Sequence, residues 1–333
     1  MRIEFITPAR ITRATLPCLA LVGLIGWAHA PKASSPSAPS RAVESLNFTG
    51  LAQFEFSEAD LPIVQDTMTE SEVLIGGWIT APLSDSAGIR LALDGGTASR
   101  SAPVLHFGAS HDSKSLFNAG GDVFLRDPNK GYVQLGYRWN HAWGEVFRDG
   151  NSVADVVSSV HRIRYAVGLF HEDYDFEFGA EYLRQTGEST LTTLSTGNVQ
   201  TDQFPSNNGY RLLGGSTWYA SDALALGLDL DWSRIIERLA GYSSDLHRDQ
   251  FRARLGADWQ PPVASLRAGA TVGLSLGLGY DTIPVITWVV TAPPGGTVIT
   301  HRDVYSFAYD VRLGVTLYFP GTSSLKDRAR QYQ

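Results

Sequence analysis

Residues 304–319, VYSFAYDVRLGVTLYF, alternate along their whole length. Tyr305, Phe307, Tyr309, Val311, Leu313, Val315, Leu317 and Phe319 fall on one face; Ser306, Ala308, Asp310, Arg312, Gly314, Thr316 and Tyr318 fall on the other. A period of two predicts a β-strand with one apolar and one polar side. At about fifteen residues it is far longer than the usual strand of five or six in a soluble domain. Its apolar face is aromatic at both ends and aliphatic in the middle, the pattern of a strand that crosses a bilayer between two interfacial girdles.

The same alternation recurs upstream. Phe48, Phe54 and Phe56 share a face, and Ile89, Leu91 and Leu93 oppose Arg90 and Asp94. Val133, Leu135, Tyr137 and Trp139 oppose Gln134, Gly136, Arg138 and Asn140, and Phe176, Phe178 and Tyr182 oppose Glu177 and Glu181. Leu224, Leu226, Leu228, Leu230 and Trp232 oppose Asp229 and Asp231; Leu266 to Leu278 oppose Arg267, Gly269, Gly273 and Gly277. About twelve strands result. Their connections run long, short, long, short: residues 58–71, 96–115, 141–159, 186–208, 235–248 and 281–303 are long, and turn signatures such as Asp127-Pro128-Asn129 and Ser221-Asp222 are short. These features predict an all-β chain, a transmembrane antiparallel up-and-down β-barrel with short periplasmic turns and long extracellular loops. Closure is required because an unpaired backbone edge in hydrocarbon costs several kcal/mol per group. An extra strand within 95–115 would spoil the even count, so that stretch is read as a loop.

Arg312-x-Gly314-x-x-Leu317-x-Phe319 resembles the polar-x-Gly-x-x-hydrophobic-x-aromatic signal that ends Gram-negative bacterial outer-membrane β-barrel proteins. The resemblance implies recognition by the barrel-assembly machinery, a location in the bacterial outer membrane and a lipid-contacting outer face. Residues 320–333 follow the signal, whereas in that class the aromatic residue usually ends the chain. The likeness is to the class as a whole and extends over residues 46–319.

Composition adds little to the fold, since alternation averages to a mean hydropathy near zero. The N-terminus adds more. Arg2, Arg10 and Arg13, an apolar centre over 16–27 and Ala28-His29-Ala30 read as a signal peptide over residues 1–30. Residues 31–45 are rich in Pro, Ser and Ala and read as a disordered periplasmic linker; 46–319 form the barrel and 320–333 a periplasmic tail. Cys18, the single cysteine, lies in the leader, so the exported chain would have no thiol chemistry. Loss of Arg2, Arg10, Arg13 and Glu4 would take the net charge from −7 to −9, which argues against nucleic acid as a partner.

The candidate chemistry lies on the polar face. Arg126, Arg138, Arg164, Arg252, Arg254, Arg267 and Arg312 are expected to face the lumen with Glu177, Glu181, Asp229, Asp231, Asp258 and Asp310. Such charges either set the selectivity of a pore or pair off and fill it. Eight strands enclose a filled barrel and sixteen a channel, so twelve leave the choice open; the inward glycines are taken to widen the lumen and favour a narrow pore. The expected function is a small porin-like channel for ions or small hydrophilic solutes. The alternative is a non-conducting structural or adhesion barrel acting through its outer loops. His111-x-Ser113 resembles the His-x-Ser spacing of outer-membrane phospholipases, but Lys114 and Ser115 follow it in place of that family's Asn-Gly, and it is read as part of a polar loop. The histidines lack the spacing of a metal site. Trp78, Trp139, Trp143, Trp218, Trp232, Trp259 and Trp288 are read as interfacial anchors. The chain is therefore expected to be a non-enzyme, without metal or other cofactor.

Overall fold

The computed structural model describes residues 43, 46–61, 66–104, 108–127, 129–148, 151–192, 199–237, 245–261, 269–290, 297–319 and 324–332. The expected signal peptide and most of the linker lie outside them. The strands are β1 (Asn47–Leu61), β2 (Asp66–Pro82), β3 (Ala87–Val104), β4 (Gly108–Asp127), β5 (Gly131–Arg148), β6 (Asn151–Phe170), β7 (Tyr174–Thr192), β8 (Val199–Ser221), β9 (Leu224–Glu237), β10 (Leu246–Trp259), β11 (Gly269–Val290) and β12 (Thr297–Phe319); a helix α1 (Leu325–Tyr332) follows. Each strand pairs antiparallel with its neighbours in sequence, and β12 pairs with β1 to close the barrel. The closing register runs from Phe48 opposite Phe319 to Ala59 opposite Ala308.

The wall is inverted relative to a soluble protein. Large apolar side chains stand outside: Leu278 is 70% exposed, Phe307 67% and Ile75 66%, whereas Thr49, Asp122 and Asp310 are at most 6% exposed. An apolar exterior of this extent needs hydrocarbon against it. Aromatic residues mark its two edges. Phe48 lies against Phe319, and Tyr174 against Trp218, at the short-turn end; Phe251 lies against Tyr280, and Tyr182 against Tyr210, towards the other. From Tyr309 to Phe319, ten residues at about 3.3 Å on a strand tilted by about 40° rise about 25 Å, the height of an outer-membrane apolar band.

The strands overrun that band at one end. β12 has 23 residues and β8 has 23, so the connections expected as long loops are built mainly of strand. Alternation marks only the part of each strand that meets lipid. Beyond the lipid both faces of a hairpin meet water, and backbone pairing continues without an apolar face to mark it. Residues 95–115 show this: β3 and β4 stay paired up to Val104 opposite Gly108. No helix among the described residues is long and apolar enough to cross a membrane; the crossing elements are the strands.

At the other end the turns are tight. Asp127 Oδ1 accepts a hydrogen bond from Asn129 N at 3.0 Å. Gly131 follows with φ +145°, a region essentially closed to other residues, and a Cβ there would meet Gly168 O. Neighbouring turns are stitched into a rim by Arg126 N to Ser86 O (2.8 Å), Phe170 N to Lys130 O (2.9 Å) and Tyr219 N to Asp173 O (2.9 Å).

The segment expected as a bare tail is a capped helix at this rim. Ser324 Oγ accepts from Asp327 N at 3.1 Å and donates to its carboxylate at 2.7 Å, a reciprocal N-cap. Leu325 packs against Tyr219 and Ala225, both on the inner face of the wall.

Candidate functional site

The register places every described lumen candidate on the inner face. Arg252 pairs across strands with Asp231 and Arg254 with Asp229; Arg138 faces Gly120 and Arg162; Arg164 faces Glu181; Arg312 faces Glu55 and Ser275. Arg267 lies outside the described residues. Inward charge follows from the pleat: in a strand whose alternate residues meet lipid, the intervening ones have only the lumen to enter.

Most of these charges are paired, in clusters that bridge neighbouring strands. Asp122 of β4 lies 3.0 Å from Arg138 and 3.9 Å from Arg90. Glu177 accepts from Arg164 and from the Tyr132 hydroxyl. Arg211 binds Asp231 and lies 3.4 Å from Glu181. At the seam that closes the barrel, Arg254 donates to Asp310 at 2.9 Å and reaches Glu55 at 3.5 Å, while Arg312 Nε donates to Glu55 at 2.8 Å. Beyond the band, Arg100 binds Asp112 and Arg248 binds Asp281, each at 2.9 Å through Nε. Arg126 lies over the Phe124 ring and donates to Arg330 O at 2.6 Å. Among the described residues, Arg252, Asp229 and Asp258 make no ion pair.

Glu55, Arg90, Asp122 and Arg211 are partners that the sequence reading did not select, although the positions of Glu55 and Arg90 between outward apolar residues already placed them inward. Arg211 likewise sits between the outward Tyr210 and Leu212, whereas Asp122, beside Gly120 and Gly121, had no such clear flanking pattern.

Pairing leaves room in the lumen. A cavity of about 390 Å³ lies against β3 and β5 to β10, lined by Arg90, Tyr132, Arg164, Asp175, Glu177, Glu181, Arg211, Asp229, Asp231, Arg252 and Arg254. Arg252 is exposed to it; Arg254 also lines it but is held by carboxylates. The inward glycines do not widen this space in the expected way. A Cβ on Gly277 would fall 2.2 Å from Asp310 Oδ2, one on Gly273 2.5 Å from Asp258 Oδ1, and one on Gly279 3.0 Å from Arg252 Cγ. Each glycine is a slot in which a neighbour's side chain lies flat against the wall. Gly277→Ala should therefore push Asp310 off its seat and lower stability by about 1–3 kcal/mol, measured by denaturant unfolding in lipid vesicles. A change within 0.5 kcal/mol, the roughly neutral range of surface substitutions, would mean that the slot is slack.

The other candidates fall outside the lumen. His111 and Ser113 lie on the outward face of β4 and not in a loop; His111 Nε2 hydrogen bonds with Ser99 Oγ at 3.2 Å. His141 Nδ1 hydrogen bonds with Ser159 Oγ at 2.9 Å. Among the described residues no group of three or more His, Cys, Asp and Glu converges on a point that could hold a metal ion. Trp139, Trp143, Trp218, Trp232 and Trp259 face outward, but Trp78 pairs with Thr49 and Ala92 on the inner face, contrary to its reading as an anchor. The glycines at 76 and 77 had hidden the facing of β2.

No protein-family model matches the sequence, and no curated protein matches it. Solved structures do. The translocator domain of the autotransporter NalP from Neisseria meningitidis is similar over 92% of this chain and 96% of that chain, at 11% identity and a TM-score of 0.53. An outer-membrane channel from Pseudomonas putida F1 is similar over 85% and 100%, at 13% identity and a TM-score of 0.49. The β domain of the Bordetella autotransporter BrkA is similar over 79% and 98%, at 13% identity and a TM-score of 0.46. The fold is that of the bacterial outer-membrane β-barrels. Within that class this chain is a closed barrel of twelve antiparallel strands.

Proposed function

We propose that the protein resides in the bacterial outer membrane, with its short turns towards the periplasm, and forms a narrow channel for ions or small hydrophilic solutes. The observation that carries this reading is the polar cavity that remains after the wall charges have paired, with Arg252 exposed to it and Asp229 among its lining residues. A barrel filled by its own side chains would leave no such space. Charged groups that line a constriction select ions by sign, and Arg252 can turn towards a passing anion without giving up a carboxylate. The surrounding ion pairs keep the long side chains of Arg138, Arg164, Arg254 and Arg312 against the wall.

The signal at Arg312, Gly314, Leu317 and Phe319 supports delivery by the barrel-assembly machinery, because these residues form the end of the strand that closes the barrel on β1. A non-conducting structural barrel is the second reading. The extent of charge pairing favours it, since a fully paired lumen stiffens the wall without offering a path.

Single-channel recording in planar bilayers separates the two. Because α1 lies at one mouth, the recording is made on the full chain and on the same chain carrying Leu325→Asp and Arg330→Ala. Discrete steps are expected, with Arg252→Glu shifting the reversal potential in a salt gradient towards cation selectivity. Silence from both folded proteins would remove the channel reading and leave the structural one.

A further inference from the structure

We propose that α1 is a plug: it closes the short-turn mouth of the barrel over β6 to β9 and has to undock before the lumen opens at that end. The observations are geometric. The helix is anchored at its start by Leu325, whose N donates to Asp222 O at 2.9 Å in the β8–β9 turn and whose side chain packs on Tyr219 and Ala225. It is anchored near its end by Arg330, which donates to Asp175 Oδ1 at 2.8 Å and to His171 O, and which lies 4.9 Å from the Phe170 ring. The far side is tied when Arg126 of β4 donates to Arg330 O. The helix thus reaches from the β8–β9 turn across the mouth to β4.

Three features make this a device and not merely a chain end. First, the site is prepared on the barrel side. Tyr219 donates to Asp175 Oδ2 at 2.6 Å, which fixes the carboxylate so that its other oxygen faces Arg330. Second, Phe170 and Asp175, which hold the helix, also line the lumen cavity, so the seat of α1 and the cavity share a wall. Third, the hold is built to release. Eight residues are too few to stay helical alone, and few apolar contacts fasten them: Leu325 and Ala329 provide the apolar packing on the cluster. The remaining contacts are hydrogen bonds and the ion pair of Arg330 with Asp175, whose side chains are 11% and 13% exposed. On the β3–β4 side, Val43 fills the space above Gly88 and Phe124, so that part of the mouth is occupied from the other end of the chain.

The plug can be tested without relying on conduction. In full-length Cys18→Ser protein, Ala225→Cys places a single thiol beneath Leu325. Its reaction with a membrane-impermeant maleimide should be slow and should accelerate at least tenfold when Leu325→Asp and Arg330→Ala are added. Asp175→Asn, which leaves the helix sequence intact, should also accelerate it and guards against a fold defect in the double variant. Equal rates in all three proteins, whether fast or slow, would overturn the plug. The opening half of the proposal rests on the channel reading. If the thiol is unmasked but no variant conducts, the channel reading falls and the plug stands as a seal.

Discussion

Arg254→Met should destabilise the barrel by roughly 3 kcal/mol, the largest effect expected of any single lumen substitution. Side-chain exposure is 16% for Arg254 and 7% for Asp310, so this pair sits mostly out of water. Removing one member of such a pair leaves a desolvated charge, and losses of roughly 3–5 kcal/mol are typical; the adjoining cavity places the expectation at the lower end. Glu55 keeps Arg312 as a partner, so the damage centres on Asp310, which lies over Gly277 with Arg254 as its cation. Arg254→Met combined with Asp310→Leu should recover most of the loss, because an apolar pair of similar volume replaces a buried ion pair at little net cost. Arg252→Met, two residues away on the same face, should change stability by no more than about 0.5 kcal/mol. Denaturant unfolding of the four proteins in lipid vesicles gives the comparison. Equal stability of Arg252→Met and Arg254→Met would mean that water solvates the seam and that its ion pairs do not brace the closure.

The second expectation concerns the outer face. Leu313→Arg should cost about 2–4 kcal/mol, the range for a cation at the bilayer midplane of a barrel, whereas Tyr305→Arg should cost about 0–1 kcal/mol. Leu313 lies between the aromatic residues Tyr309 and Phe319 on a strand whose register with β1 and β11 is continuous, and it is 49% exposed. Tyr305 lies beyond Tyr309, where a charged head can reach water. Unfolding free energies in vesicles of one lipid thickness would show the difference. Two equal costs would place the apolar band, and its aromatic edges, elsewhere on the wall.

How much of this was legible depended on where lipid touches the chain. Within the band, each strand has one face in hydrocarbon and one in the lumen, so alternation reports the facing of every residue. Val133, Leu135 and Tyr137 are outside and Gln134 and Arg138 inside, as their spacing predicts. Above the band nothing apolar is demanded, and the extended hairpins of β7, β8, β11 and β12 read as loops. In β2, Gly76 and Gly77 carry no side chain to show a face, so spacing alone does not reveal that Trp78 points inward. The helix left a faint trace, Ser324 with Asp327 three residues on, which is a capping pattern, but at eight residues its helical periodicity is too short to stand out.

The inverted wall, the twelve-strand count and the inward row of charges all follow from a period of two and from turn residues, which are local signals along the chain. Tertiary structure decided which charges meet. Arg254 of β10 reaches across β11 to Asp310 and, only because the barrel closes, to Glu55 of β1, while Arg252, on the same face of the same strand, is left exposed to the cavity. It also decided the state of the mouth. Tyr219, Asp175 and Phe170 form a seat for α1 only when β6, β7 and β8 stand side by side, and long-range geometry of that kind has no signature in spacing along the chain.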